Sequence, residues 1–346
     1  MVETMRAARL VEYGHDLEIE DVPVPVPVGE EVLVEVAGAG ICHSDLHLFA
    51  GEFADMVPVP LPFTPGHEVS GTVTQLGPQA RGFEPGDPVL VYGAWGCGAC
   101  RHCAAGSPNL CDLPLWAGLA GVDGGYAERI LVPSYRYLLR AEGVDLIDAV
   151  PVTDAVLTAY RAVGRVREDL SPSSTVVVVG VGALGNAALQ LLAAMVPSPV
   201  VAVDPNPRKR ALALALGAVG AVDPTGEAPA GEIASFVGEG VGATLDFVGS
   251  ESSLALSWEV TSKAGHVVVV GLGGGKLHVP GVDVGVNERR LSGVMWGSPK
   301  ELSEVLALYK AGKVAVPVER RGLDQVNDAL ADLVAGTVDG RLVLTH

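Results

Sequence analysis

The chain has 346 residues, about two domains at roughly 150 residues each. Hydrophobic residues make up 49% and charged residues 18%, which supplies a core and excludes a mainly disordered chain. With 23 basic and 41 acidic side chains the net charge is −18, a surface that repels phosphate backbones and argues against a nucleic-acid partner.

The N-terminus carries an early acid, Glu3, and no apolar h-region, so a secretory signal is not expected. The first 150 residues read as short strands broken by prolines and turns such as Pro85-Gly86-Asp87, the pattern of an irregular β-rich domain. Within it lie Gly40-Ile41-Cys42-His43-Ser44-Asp45-Leu46-His47 and then Gly66-His67-Glu68. A thiolate, an imidazole and a carboxylate together make a three-ligand zinc with its fourth position open, the catalytic arrangement. Spacing does not pick the carboxylate from the 41 acids.

All five cysteines fall in the first third, an odd count that argues against a disulfide framework. Four of them run Cys97-x2-Cys100-x2-Cys103-x7-Cys111, a spacing that lets four sulfurs close round one structural zinc. An iron–sulfur cluster has partly overlapping spacings and is the competing occupant. His102 lies inside this lobe and is expected at the surface.

No charged residue occurs from 173 to 203, a stretch that mimics a membrane span. Gly180, Gly182 and Gly185 interrupt it, and Pro197 and Pro199 end its second half, so it reads as a buried strand and a buried helix. A soluble, cytoplasmic chain with no membrane partner is expected. Ser174 to Val179 is a β-branched run typical of a strand covered on both faces. It enters Gly180-Val181-Gly182-Ala183-Leu184-Gly185, followed by an Ala/Leu-rich helix from about Asn186 to Met195. In such a turn the first glycine bends the chain, the second admits a pyrophosphate and the third lets helix pack on strand.

Asp204 ends the next strand, placed for the adenosine ribose hydroxyls and repelling a 2′-phosphate, which favours NAD over NADP. Arg208 and Lys209 pull the other way. The alternation continues with a strand near Ala218–Val222, a helix near Glu232–Gly238, a strand Thr244–Val248, a helix to Ala264 and a strand His266–Val270. That is an α/β fold with a doubly wound parallel sheet.

Together these motifs resemble the zinc-dependent medium-chain alcohol dehydrogenases over essentially the whole chain, most closely the prokaryotic two-zinc, NAD-dependent enzymes of secondary alcohols. The resemblance implies a GroES-like β-rich catalytic domain at 1–153 and 291–346, with a structural zinc lobe at about 95–113. It places a Rossmann NAD-binding domain at 154–290. It implies Cys42, His67 and Asp154 as catalytic zinc ligands, with Glu68 able to enter the shell, and Cys97, Cys100, Cys103 and Cys111 as structural ones. Asp154 stands where many relatives carry a third cysteine.

On the same ground Asp45 orients His67, while Ser44 and His47 relay the substrate proton to solvent. Ser44 also suits a helix cap, and His47 a surface position. His43 and Arg341 match cofactor-phosphate contacts, and Thr158 a neighbour of the nicotinamide. Lys209, Phe247, Gly271 and Leu272 join the glycine turn, including Ala183 and Leu184, in the cofactor set. Phe49, Trp95, Trp116 and Trp296 are expected around an apolar substrate.

The implied reaction moves a hydride between an apolar primary or secondary alcohol, or its carbonyl, and NAD. A polyol or threonine-type dehydrogenase of the same superfamily is the enzymatic alternative, and a non-catalytic cofactor-binding protein the other. Relatives are commonly homodimers or homotetramers, here joined through an edge strand near Leu291–Met295.

Overall fold

The computed structural model describes residues 3–52, 54 and 59–346; Met1 and Val2 of the N-terminal segment lie outside them. The chain divides into two compact units, Met1–Asp154 with Ser298–Lys310 and Val316–His346, and Ala155–Gly297 with Ala311–Ala315. The return to the first unit falls at Ser298 rather than 291. The reason is that Arg290–Gly293 pairs in parallel with His266–Val269 and so belongs to the sheet of the second unit.

The first unit is built on a seven-stranded sheet ordered Leu138–Arg140, Pro88–Val91, Glu68–Leu76, Val32–Gly40, Arg341–Thr345 and Val318–Gly322, with Arg129–Val132 also on Val32–Gly40. Its register gathers distant sequence. Gly40 pairs with Glu68 on one side and with Val343 on the other. Beyond Gly40 the chain enters helix His43–Phe49, whose N-cap is Cys42 rather than Ser44. The Asp45 carboxylate reaches back to accept the Cys42 N–H at 2.8 Å, satisfying a donor at the helix entrance. Cys42, Glu68 and Arg341 therefore meet at one end of one sheet.

The second unit holds six parallel strands in the order Gly220–Val222, Val200–Val203, Ser174–Val179, Gly240–Asp246, His266–Val269 and Arg290–Gly293. Val176, Val177 and Val178 are fully buried, as a strand covered on both faces requires. The strand order reverses between Ser174–Val179 and Gly240–Asp246, and such a switch point opens a crevice at the carboxyl ends of the strands. Strand Gly240–Asp246 ends before the expected Val248 because the Asp246 carboxylate accepts the N–H groups of Val248 and Gly249 at 2.8 and 2.9 Å and turns the chain. Helix Ala183–Met195 begins directly after Gly182, one turn earlier than its Ala/Leu pattern indicates. No helix among the described residues is long and apolar enough to cross a membrane.

Candidate metal centres and cofactor turn

Cys42, His67, Glu68 and Asp154 are all buried, and one ligand atom of each lies within 4.8 Å of the others. Nitrogen and oxygen donors at about 2.0–2.1 Å from one tetrahedral ion stand about 3.4 Å apart. His67 Nε2 and Asp154 Oδ2 are 3.6 Å apart. The donor set and its span fit zinc.

Each donor is held by its surroundings. Asp45, with no exposed surface, lies with Oδ1 at 3.3 Å from His67 Nδ1, which leaves Nε2 turned towards Asp154. Its Oδ2 accepts both the Cys42 N–H and the Tyr126 hydroxyl, each at 2.8 Å. Glu68 fits because its partner across the sheet is glycine: a Cβ on Gly40 would lie 2.1 Å from Glu68 Oε2. Asp154 follows the buried 3-10 turn Val150–Thr153.

Arg341 stands inside this cluster. It is 3% exposed, donates to Glu68 Oε1 at 2.5 Å and to the Ile41 carbonyl at 3.0 Å, and lies 3.9 Å from Asp154 Oδ2. The sequence reading missed this pairing with Glu68, since its only signal is the strand pairing of Val343 with Gly40.

Burial acts to raise the Cys42 thiol, but Arg341 and His67 outweigh it and hold the thiol below its ordinary value. Burial also opposes charge on His67, yet Asp45 and Asp154 hold that imidazole well above its usual range. Asp154 is kept low against burial, chiefly by its hydrogen bond with His67. Glu68 is pushed well up by burial, with Arg341 only partly compensating. With Arg341 set against Glu68, Cys42 and Asp154 remain to balance a divalent ion. A divalent ion at this site would compete with the proton that Asp45 and Asp154 favour on His67.

The second centre is local. Cys97, Cys100, Cys103 and Cys111 also bring their sulfurs within 4.8 Å of one another. A tetrahedron with 2.3 Å metal–sulfur bonds has edges of about 3.8 Å, and Cys100 Sγ and Cys111 Sγ are 3.9 Å apart. Backbone N–H groups point at these sulfurs, from Cys97 to Cys111 at 3.2 Å and from Cys100 to Cys97 at 3.3 Å. The Cys103 N–H is the first of several that pull the Cys100 thiol down to about 6, while burial pushes Cys103 up to about 12. His102 is outside the group and lies 4.0 Å from Asp112.

In the second unit the three glycines do separate jobs. Gly180 has φ +86°, a left-handed bend, and a Cβ on Gly185 would lie 1.8 Å from the Gly180 carbonyl oxygen. Above Gly182 there is open space, at the entrance of helix Ala183–Met195, where free N–H groups favour an anion. Asp204 is buried at the end of Val200–Val203; it accepts the Val181 N–H at 2.8 Å and the Asn206 N–H at 2.8 Å. It thereby ties the strand end to the glycine turn. Thr158 is buried in helix Ala155–Val166, Leu184, Lys209, Phe247 and Gly271 are half-buried, and Leu272 is exposed.

Ser44 Oγ lies 3.6 Å from the Cys42 sulfur, and His47 stands three residues on along the same helix. His47 Nδ1 is 2.6 Å from Glu52 Oε2, a partner that the sequence reading did not find. His43 is exposed at the helix start. Trp95 is fully buried beside Tyr137, with Trp116 half-buried on the neighbouring strand and Phe49 buried at the end of its helix. Trp296 is buried in the second unit with a left-handed φ of +51°.

Comparison with known proteins gives a consistent answer. The model of the alcohol dehydrogenase GroES-like domain matches residues 29–142, and that of the zinc-binding dehydrogenase matches residues 183–311. The chain is 36% identical to an NAD-dependent alcohol dehydrogenase of Sulfurisphaera tokodaii, covering 98% of this chain and 99% of that protein. It is 33% identical to a D-arabinose 1-dehydrogenase (NADP(+)) of Saccharolobus solfataricus, covering 98% and 97%. The crystal structure of the alcohol dehydrogenase of Aeropyrum pernix superposes with a TM-score of 0.94 at 38% identity, covering 99% of this chain and 100% of that one.

Proposed function

The chain belongs to the zinc-binding alcohol dehydrogenase family, and on that premise we propose that it interconverts apolar secondary or primary alcohols and their carbonyls with NAD. The observation that carries this reading is the buried cluster of Cys42, His67, Glu68 and Asp154. Cys42, His67 and Asp154 would hold a zinc ion, which would supply Lewis acidity, and bound NAD would supply the hydride acceptor. Asp45 fixes the His67 ring so that Nε2 donates. Arg341 neutralises Glu68, which keeps that carboxylate from burdening the shell with a further negative charge. Ser44 accepts the proton of the alcohol as its own hydroxyl proton moves on towards His47, which Glu52 steadies and which releases a proton to solvent.

The four cysteines of the lobe hold a second, structural zinc. The glycine turn binds the pyrophosphate, and Asp204 favours NAD because its carboxylate repels a 2′-phosphate. Phe49, Trp95 and Trp116 support an apolar substrate. Free cysteines suit the reducing cytoplasm. Edge strand Arg290–Gly293, with Leu291 53% exposed, suits pairing with a second copy in a dimer or tetramer.

The test is absorbance at 340 nm with apolar alcohols, polyols and sugars, each offered NAD⁺ and NADP⁺. Apolar secondary alcohols should reduce NAD⁺ at a kcat/KM at least about tenfold above NADP⁺, about 1.4 kcal/mol. Faster turnover of sugars with NADP⁺ would overturn both the substrate and the cofactor assignments.

A further inference from the structure

Asp45 is the joint of the buried centre, because one carboxylate oxygen faces the ring of His67 while the other caps the backbone of Cys42. What holds Asp45 is Tyr126. This tyrosine has no exposed surface, and its hydroxyl donates to Asp45 Oδ2 at 2.8 Å, with the Gly40 carbonyl farther off at 3.3 Å. Its N–H donates to the Pro65 carbonyl at 2.9 Å, and its own carbonyl accepts the Ala8 N–H at 2.7 Å. The ring lies against Gly66, where a Cβ would come within 2.4 Å of Cδ1. Tyr126 thus fixes the residues just before His67 and the carboxylate that orients His67.

We propose that Tyr126 is a positioning residue of the buried metal centre, its phenol locking Asp45 so that His67 and Cys42 are presented together. It acts through Asp45, to which its hydroxyl donates. The inference rests on the reading that Cys42, His67 and Asp154 hold zinc. Outer partners of metal ligands are typically worth 10–100-fold in metal affinity. Tyr126 stands one layer beyond Asp45, so removing its hydroxyl is expected to speed metal loss about tenfold, the low end of that range.

The experiment follows zinc release from the loaded enzyme to excess chelator with a colorimetric indicator. Cys42→Ser identifies the buried site as the release phase that this variant lacks, and the cysteine lobe supplies the other phase as an internal control. Tyr126→Phe should accelerate the buried-site phase about tenfold and leave the lobe phase unchanged. A chain with 3-fluorotyrosine at position 126 keeps the donor and should release at the wild-type rate. An unchanged buried-site phase overturns the proposal. So does equal acceleration of both phases, a fluorotyrosine chain that behaves like Tyr126→Phe, or a Tyr126→Phe chain that fails to fold, each of which marks a packing role only. If the wild type releases a single zinc and Cys42→Ser removes none, the zinc reading itself fails, a result distinct from all of these.

Discussion

Asp154→Ala should lower kcat/KM at least about a thousandfold, about 4 kcal/mol, and reduce zinc from two ions per chain to one. Asp154 Oδ2 stands 3.6 Å from His67 Nε2, and its carboxyl is held low, so at neutral pH it is an ionised donor aimed into the cluster. Its removal leaves Cys42 and His67 as two firm ligands, with Glu68 drawn towards Arg341. Two ligands do not retain zinc at a catalytic site that needs three. Asp154→Cys keeps a monoanionic donor and should retain both zincs with measurable turnover. Metal analysis beside steady-state kinetics checks the pair: full kcat and two zincs in Asp154→Ala remove Asp154 from the ligand set.

The second large effect falls on stability. Arg341→Met should destabilise the metal-free protein by about 3–5 kcal/mol, the cost of leaving a buried charge without its partner. Glu68 has no exposed surface, and Arg341 is its direct ion-pair partner. The sign of the pH dependence follows from Glu68. Burial raises its folded pKa above the unfolded value even beside Arg341, so between those two values the folded state binds more protons than the unfolded one. Stability from this group is therefore present below the unfolded pKa of about 4.3 and is lost as pH rises towards the folded one. Without Arg341 the folded pKa moves further up. The deficit of Arg341→Met should accordingly be smallest in acid and grow towards neutral pH. Glu68→Gln in the same chain should recover most of it, since the uncompensated charge is then gone. Chemical denaturation of the two variants at pH 5 and pH 7.5 decides the matter; a pH-independent deficit contradicts it.

What could be read in the sequence was whatever the chain writes locally. The four cysteines of the lobe lie in one short segment, and the lobe closes where their spacing indicates. The glycine turn is equally local, with Gly180 taking its left-handed bend and Gly185 lying against the Gly180 carbonyl. The parallel sheet follows from alternating strands and helices, although the end of Gly240–Asp246 is set by a side chain of Asp246 that periodicity does not register.

The buried centre was legible only in its residue types. Cys42 and His67 stand out, but Asp154 needed the resemblance to a family. Arg341 and Tyr126 join the cluster through strand register and hydrogen bonds spanning 273 and 81 residues, to Glu68 and Asp45. Such pairings belong to topology. No window along the chain contains both partners, so the pairing of Arg341 with Glu68 has no local signal, and Tyr126 has none at all.

The most direct test of the account is a chelator titration of the two-zinc enzyme, with NADH formation from a secondary alcohol and released zinc recorded on the same sample. The account expects activity to fall in proportion to release of one zinc per chain, the one absent from Cys42→Ser, while the cysteine lobe stays loaded. Full activity after that zinc has left would contradict it.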